Sequence, residues 1–247
     1  MTANQFFVAV IDPDVERIVL RGDEHRHLAK AARVRAGDEI WLFDGAGRRS
    51  RAQVEKVGDD RTEVSILAAE APENSRTRIV LALCLIDGKK LEAVLEQAAE
   101  LGCSDFLPVV SARSFPASAE RTGRKLERWR RIVREAAKQC KSALLTEVHA
   151  PRPLRELLRE PGPGRRLFLS EHGGRPLKDV LAFPAEAEGR APERITLLVG
   201  PKGGWTAAEV KEIRQAGFEA VSLGCRILRA ETAAVSGAAM IAHFWNE

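Results

Sequence analysis

From residue 78 onward the chain alternates short apolar runs with stretches of helical periodicity, and this alternation limits the possible folds more than any other feature of the sequence. The apolar runs are predicted as strands at residues 79–86, 106–110, 167–169, 195–199 and 220–223. Helices are predicted over residues 90–101 and 125–141, from residue 206, and over residues 233–245. Strands alternating with helices are typical of a parallel sheet covered on both faces, so we predict an α/β fold for this region.

The first seventy residues have a different pattern, in which short β-type runs are separated by turn signals. These runs are predicted as strands at residues 6–10, 16–20, 39–43, 50–57 and 62–67, with one helical insert at 25–35. A polar, proline-containing segment at residues 71–75 follows them. We therefore predict two domains, a small β-rich one over residues 1–72 and an α/β one over residues 73–247.

Composition excludes several classes of protein. The chain has 247 residues, of which 45% are hydrophobic and 30% charged, as in ordinary globular proteins. No apolar run approaches the roughly 18 residues of a membrane span, and the N-terminus lacks the basic segment of a secretory signal. The four cysteines, Cys84, Cys103, Cys140 and Cys225, form no C-x-x-C pair. We expect a cytoplasmic protein with free thiols and no membrane association.

A glycine-rich turn, Gly200-Pro201-Lys202-Gly203-Gly204, follows the apolar run at residues 195–199. Thr206 and Glu209 then have the spacing of a capping box, which predicts the start of a helix. The carboxyl ends of strands are where α/β sheets bind ligands, and glycines let backbone N–H groups approach a ligand closely. The alternative is a tight turn that requires positive φ angles. The segment lacks the Walker A pattern of a P-loop.

A second strand end, Leu223-Gly224-Cys225-Arg226-Ile227-Leu228, leads into the last predicted helix. Arg229 and Glu231 lie where the chain turns into that helix, near its positive N-terminus. Taken alone, they are compatible with a surface arginine and a glutamate that pairs with the helix dipole.

Positive charge is concentrated between residues 113 and 141. This stretch has ten basic and three acidic residues, a net charge of +7, whereas the whole chain has +4. Apolar residues recur at helical spacing at Leu126, Trp129, Val133, Ala137 and Cys140, which leaves most cations on the opposite face. We interpret this face as a surface that binds phosphate groups, and the alternative is an ordinary solvated helix face.

The two glycine-containing motifs, G-P-K-G-G at residues 200–204 and L-G-x-R-I-L-R-A-E-T-A at residues 223–233, together resemble the SPOUT superfamily of RNA methyltransferases. Over nearly its whole length the chain is most similar to the bacterial 16S ribosomal RNA uridine N3-methyltransferases, the RsmE family. Further supporting motifs stand at residues 25–28, 33–38, 42–45, 90–92, 100–102, 128–129 and 136–140.

The resemblance implies an N-terminal PUA-like β-barrel that binds RNA and a C-terminal SPOUT-type parallel sheet with a trefoil knot. It further implies a homodimer that acts on 16S ribosomal RNA or the small ribosomal subunit, with S-adenosylmethionine as methyl donor and no metal. The positions matching the donor pocket are Leu169, Glu171, Leu198, Gly200, Gly203, Gly204, Leu223, Gly224, Ile227 and Leu228.

Methylation at uridine N3 requires an unpaired base, removal of a proton and stabilisation of charge on the ring. Arg229 is the candidate for anchoring the base or its phosphate, and Glu231 for orientation or proton transfer. The expected RNA contacts are Arg26, Arg33, Arg113, Arg124, Arg128 and Arg131.

The chain departs from the family pattern at several positions. The family usually has another residue at Ala112, Lys138, Lys141, Lys202, Cys225 and Ala230. We expect these departures to cluster at the presumed site, where a cation such as Lys202 is unfavourable beside a sulfonium unless its side chain points outward or contacts the donor's carboxylate or RNA. They leave open a methyltransferase acting on another RNA nucleotide and a non-catalytic, ribosome-associated RNA-binding protein. A dinucleotide-dependent oxidoreductase fits the fold class but lacks the glycine fingerprint.

Overall fold

A computed structural model describes residues 4–12, 14–72, 77–115, 122–160, 162, 164–182 and 192–245. The chain forms two compact units. The first unit contains Met1–Asn74 and Arg134–Leu145, and the second contains Ser75–Val133 and Thr146–Glu247. The domain boundary between residues 72 and 73 stays a prediction.

The first unit is built on a five-stranded sheet. Its elements are β1 (Gln5–Phe7), β2 (Arg17–Arg21), α1 (Gly22–Arg26), a π-helical turn (His27–Ala31), β3 (Glu39–Phe43), β4 (Arg49–Val57) and β5 (Arg61–Ala69). The strand order is β1-β3-β4-β5-β2, and only the β1–β3 pair is parallel. Alternating residues bury one face of the sheet, and Phe6, Leu28 and Leu42 are fully buried in its core. The predicted helical insert begins at Gly22, earlier than its pattern indicated.

Residues 134–145 pack within the first unit. Ala137 and Ala143 form a small buried cluster with Phe43. The Gln5 side-chain amide donates a hydrogen bond to the Ser142 carbonyl oxygen at 2.8 Å. The last turns of the helix predicted at residues 125–141, together with the residues that follow it, therefore contribute to the core of this unit.

The second unit is an α/β structure with a fully parallel sheet. Its strands are β6 (Arg78–Cys84), β7 (Asp105–Val110), β8 (Glu147–Val148), β9 (Arg152–Pro153), β10 (Arg165–Leu169), β11 (Arg175–Pro176), β12 (Arg194–Val199) and β13 (Glu219–Ser222). Its helices are α2 (Gly88–Glu100), α3 (Thr122–Cys140, shared with the first unit), α4 (Leu154–Arg159), α5 (Leu177–Ala182), α6 (Ala207–Gln215) and α7 (Ala230–Trp245). The strand order is β11-β13-β10-β12-β6-β7-β8, and β9 also pairs with β7.

The central strands are buried because helices cover the sheet. Every residue of β6 after Arg78 is buried, as expected for a continuous apolar run in a parallel sheet. Helix α7 approaches β12 at Gly237, where an added Cβ would lie 2.6 Å from Leu197 Cδ2. The predicted α/β class, with a smaller β-rich N-terminal part, is confirmed.

Several short elements are not predicted by the sequence pattern. The stretch between the predicted helix at residues 125–141 and the predicted strand at residues 167–169 contains β8, β9 and α4, and β11 and α5 follow β10. Strands of two residues and helices of six are too short to produce a recognisable periodicity. Pro161 and Pro163, in the same stretch, lie outside the described residues. Among the described helices, none is long and apolar enough to cross a membrane.

Candidate active site

Three loops form the candidate site at one edge of the parallel sheet. Strands β13, β10 and β12 are consecutive neighbours in the sheet and run in the same direction, so their carboxyl ends lie side by side. The loops that follow them line a pocket of about 490 Å³. This volume is in the range of small-molecule sites, about 300–1,000 Å³.

Most of the predicted donor-binding residues line this pocket. They are Leu169 and Glu171 after β10, Gly200 and Gly204 after β12, and Leu223, Gly224, Ile227 and Leu228 after β13. The two catalytic candidates, Arg229 and Glu231, line it as well. The structure thus brings together Leu169 and Glu231, which are 62 residues apart in the sequence.

Two predicted donor residues do not line the pocket. The Leu198 side chain is fully buried in the core beside Ile213, because successive residues of a strand point to opposite faces. Val199, the next residue along β12, lines the pocket in its place. Gly203 lines a neighbouring depression, described below.

An indole group joins the loops after β10 and β12. The Trp205 Nε1–H donates a hydrogen bond to the Leu169 carbonyl oxygen at 3.1 Å. The indole passes over Gly200, where an added Cβ would lie 3.0 Å from the ring. Gly200 is therefore required for close approach of this ring. The capping box of Thr206 and Glu209, which starts α6 immediately afterwards, is present as predicted.

Charged groups converge at the start of α7. The Lys90 Nζ, from the first turns of α2, donates to Glu231 Oε1 at 2.6 Å. This hydrogen bond is the main cause of a lowered pKa for the Glu231 carboxyl, with smaller contributions from its backbone hydrogen bond and from the charge of Arg229. Glu231 is therefore held as a carboxylate inside a pocket whose lining carries Lys90 and Arg229.

Sequence reasoning missed Lys90 and Trp205. Lys90 lies 141 residues before its partner Glu231, so local patterns carry no signal for the pair. For Trp205 the sequence gives a weak indication of a role in the site. A large aromatic residue directly after two glycines often packs into the space left by their missing side chains.

The departures from the family pattern do not all lie at the pocket. Lys202, Cys225 and Ala230 line it. Lys138 belongs to the first unit, where its nearly buried ammonium group is 2.6 Å from Glu24 and 3.0 Å from Glu135. Lys141 is in the same unit. The expectation that these departures cluster at one site was therefore wrong for Ala112, Lys138 and Lys141, none of which lines the pocket.

The thiols differ sharply in environment. Burial raises the pKa of the Cys84 and Cys103 thiols to about 12, so neither is a reactive nucleophile at neutral pH. Cys140 is half-buried, and Cys225 is exposed at the pocket.

The predicted RNA-binding arginines are exposed but divided between the units. Arg26 and Arg33 lie in the first unit, and Arg26 forms an ion pair with Asp23. The other four lie in the second, and three of them, Arg124, Arg128 and Arg131, are on α3. Arg128 pairs with Glu92 at 2.7 Å, and Arg113 Nη1 donates to the Gly203 carbonyl oxygen at 3.0 Å.

One group of potential metal ligands lies elsewhere in the second unit. The ligand atoms of Asp105, Glu147 and His149 are within 4.8 Å of one another. The Asp105 carboxylate is already bound by Arg78 Nη2 and by His149 Nε2, each at 3.0 Å. These contacts account for a buried carboxylate through an ion pair and a hydrogen bond.

Comparison with known proteins agrees with this geometry. An RNA methyltransferase domain family matches residues 72–242, and an RNA methyltransferase PUA domain family matches residues 20–67. Ribosomal RNA small subunit methyltransferase E from Mycobacterium bovis is 31% identical over 241 residues, covering 95% of this chain and 89% of the relative. The Bacillus subtilis protein of the same name is 28% identical, covering 93% and 92%.

A solved structure is similar over almost the entire chain. Ribosomal RNA small subunit methyltransferase E from Neisseria gonorrhoeae, bound to S-adenosylmethionine, superposes with a TM-score of 0.86 at 30% identity and covers 98% of each chain. The matching domains, the sequence identity and the shared fold lead to one assignment. This chain belongs to the ribosomal RNA small subunit methyltransferase E (RsmE) family of RNA methyltransferases.

Proposed function

We propose that this protein transfers the methyl group of S-adenosylmethionine to N3 of a uridine in 16S ribosomal RNA of the small subunit. The observation that carries the proposal is the pocket at the ends of β10, β12 and β13, in a chain of the RsmE family. The solved relative from Neisseria gonorrhoeae contains S-adenosylmethionine. The names of the relatives supply the RNA, and the RsmE resemblance supplies the uridine N3 target.

The pocket residues fit S-adenosylmethionine. Leu169, Leu223 and Leu228 offer apolar surface, and Gly200 and Gly204 expose backbone to the pocket. Gly204 has a φ of +68°, a conformation that side-chain-bearing residues rarely adopt. Such a mixture of apolar walls and a few polar groups suits an amphipathic nucleoside donor.

Lys202 is compatible with a cationic donor. Its side chain is exposed and lines both the pocket and the neighbouring depression. Solvent therefore screens the repulsion between its ammonium group and a sulfonium.

Side chains of the pocket can hold the target base and stabilise charge on it. S-adenosylmethionine, when bound, supplies a methyl group already activated by a sulfonium, so the protein's task is to hold the base and manage its N3 proton. Arg229 and Lys90 can stabilise negative charge that develops on the uracil ring as the N3 proton passes to solvent water. The Glu231 carboxylate can accept a hydrogen bond from N3–H, but its lowered pKa makes it a weak base. We assign Glu231 to orientation of the base.

The proposal includes the arrangement of the whole enzyme. Residues 1–72 form the PUA-like RNA-binding domain and residues 73–247 the SPOUT methyltransferase domain, whose C-terminal loops are threaded as a trefoil knot. The cations of α3 contact RNA phosphates, and the enzyme acts as a cytoplasmic homodimer. Light scattering tests the dimer, and a monomer at working concentrations would contradict it.

Variants of Arg229 test the proposed chemistry. We expect Arg229→Ala to lower kcat/KM for methyl transfer to undermethylated small ribosomal subunits by about 100-fold, because a charge-assisted contact contributes about 1.5–3 kcal/mol. Arg229→Lys is expected to recover part of this loss, since it restores the charge without the planar fork. Wild-type rates in both variants would remove Arg229 from the mechanism.

Protection of Cys225 reports on donor binding independently of catalysis. We expect N-ethylmaleimide to modify Cys225 faster than the buried Cys84 and Cys103. S-adenosylmethionine is expected to slow this modification in the wild type and in both Arg229 variants, as measured by peptide mass spectrometry. Modification of Cys225 at an unchanged rate would place the donor elsewhere.

A further inference from the structure

A second depression adjoins the pocket in the same unit. It has a volume of about 440 Å³ and is lined by Leu85, Arg113, Ser114, Phe115, Lys202 and Gly203. Lys202 also lines the pocket proposed for the methyl donor. A molecule in the depression therefore lies directly beside the donor pocket.

Phe115 offers an exposed aromatic face in this depression. It is 51% exposed, whereas Phe106 and Phe168 in the neighbouring sheet are fully buried. Its backbone is held in place, because the Phe115 N–H donates to the Leu85 carbonyl oxygen at 2.9 Å. The exposed ring offers apolar surface, so a ligand that covers it gains the free energy of burying that surface.

The charge around Phe115 matches a nucleic acid. Arg113 and Lys202 are both exposed and line the depression with the ring. The Arg113 guanidinium is fixed by its hydrogen bond to the Gly203 carbonyl oxygen at 3.0 Å. An aromatic platform flanked by cations is how proteins bind single-stranded RNA, with the base stacked on the ring and the phosphates near the cations.

We propose that Phe115 is the stacking platform for a uracil base of the RNA substrate, with Arg113 and Lys202 as its phosphate contacts. The inference rests on the proposed function and adds the substrate-binding half of the site. It also gives Lys202 a role, because a cation shared by the depression and the pocket is favourable where an RNA phosphate arrives. A stacked base is unpaired, which leaves its N3 edge accessible.

Binding of single-stranded hexauridylate tests the platform without catalysis. The comparison probe is an abasic ribose-phosphate hexamer of the same charge, measured at the same salt concentration. The phosphate contacts then contribute equally to both affinities, and the difference in affinity reports on the bases. We expect the wild type to prefer hexauridylate by about 5- to 100-fold in fluorescence anisotropy, the range of base stacking on one aromatic residue. Equal affinities for the two probes would overturn the proposal.

Two substitutions at Phe115 separate stacking from general apolar contact. Phe115→Leu keeps an apolar side chain and is expected to lose the preference for hexauridylate, whereas Phe115→Tyr is expected to keep it. A preference retained by Phe115→Leu would overturn the proposal. Wild-type methyl transfer to small ribosomal subunits, measured in parallel, tests the enzyme's activity separately, so failure of the platform is distinguishable from failure of the proposed function.

Discussion

At the scale of single residues, the ion pair between Lys90 and Glu231 is the feature most open to test. We expect Lys90→Met to lower kcat/KM for methyl transfer about tenfold, through loss of one cation near the reacting base. The matched control is Lys89→Met, which removes an exposed lysine of the same helix turn that does not line the pocket. Equal losses in the two variants would show that only general charge matters.

The same pair predicts a shift in pH dependence. Lys90 lowers the pKa of Glu231, so the wild-type carboxylate persists to lower pH than an unpaired one. In Lys90→Met the pKa of Glu231 rises, so the carboxylate protonates at higher pH. The acidic limb of the kcat/KM profile is therefore expected to move to higher pH, and an unmoved limb would contradict a role for the Glu231 carboxylate.

At the scale of elements, the Trp205 indole couples two loops of the pocket. Trp205→Phe removes the hydrogen bond to Leu169 and is expected to weaken S-adenosylmethionine binding about 2- to 10-fold, the effect of about 0.5–1.5 kcal/mol. Gly200→Ala is expected to weaken it more, because the added methyl group would displace the ring. Calorimetry measures both, with Gly123→Ala as a control at a position with open space. Unchanged affinity in both variants would contradict this coupling.

Elements with a strong local pattern were predictable from sequence. The run that forms β12 and the Thr206–Glu209 capping box appear where expected, since both depend on neighbouring residues. β8, β9 and β11 were missed, because two-residue strands exist only through pairing with distant parts of the sheet. Lys90 was missed as a pocket residue for the same reason, because its place in the pocket depends on how the distant helices α2 and α7 pack.

At the scale of the whole molecule, the order of strands and helices indicated the parallel sheet, and the family resemblance supplied the donor loops. The sequence pattern alone could not place residues 134–145 in the first unit. The helical periodicity of α3 continues without a break from the part that belongs to the second unit into the part that belongs to the first. The sequence pattern also could not show whether Leu198 or Val199 lines the pocket. Both faces of β12 are buried, so apolar and polar residues do not alternate along it.

We propose that this chain methylates uridine N3 in 16S ribosomal RNA. The most direct test is incubation with labelled S-adenosylmethionine and undermethylated small ribosomal subunits, followed by mass spectrometry of the digested nucleosides. We expect label in 3-methyluridine. Label in any other nucleoside, or no label at all, would contradict it.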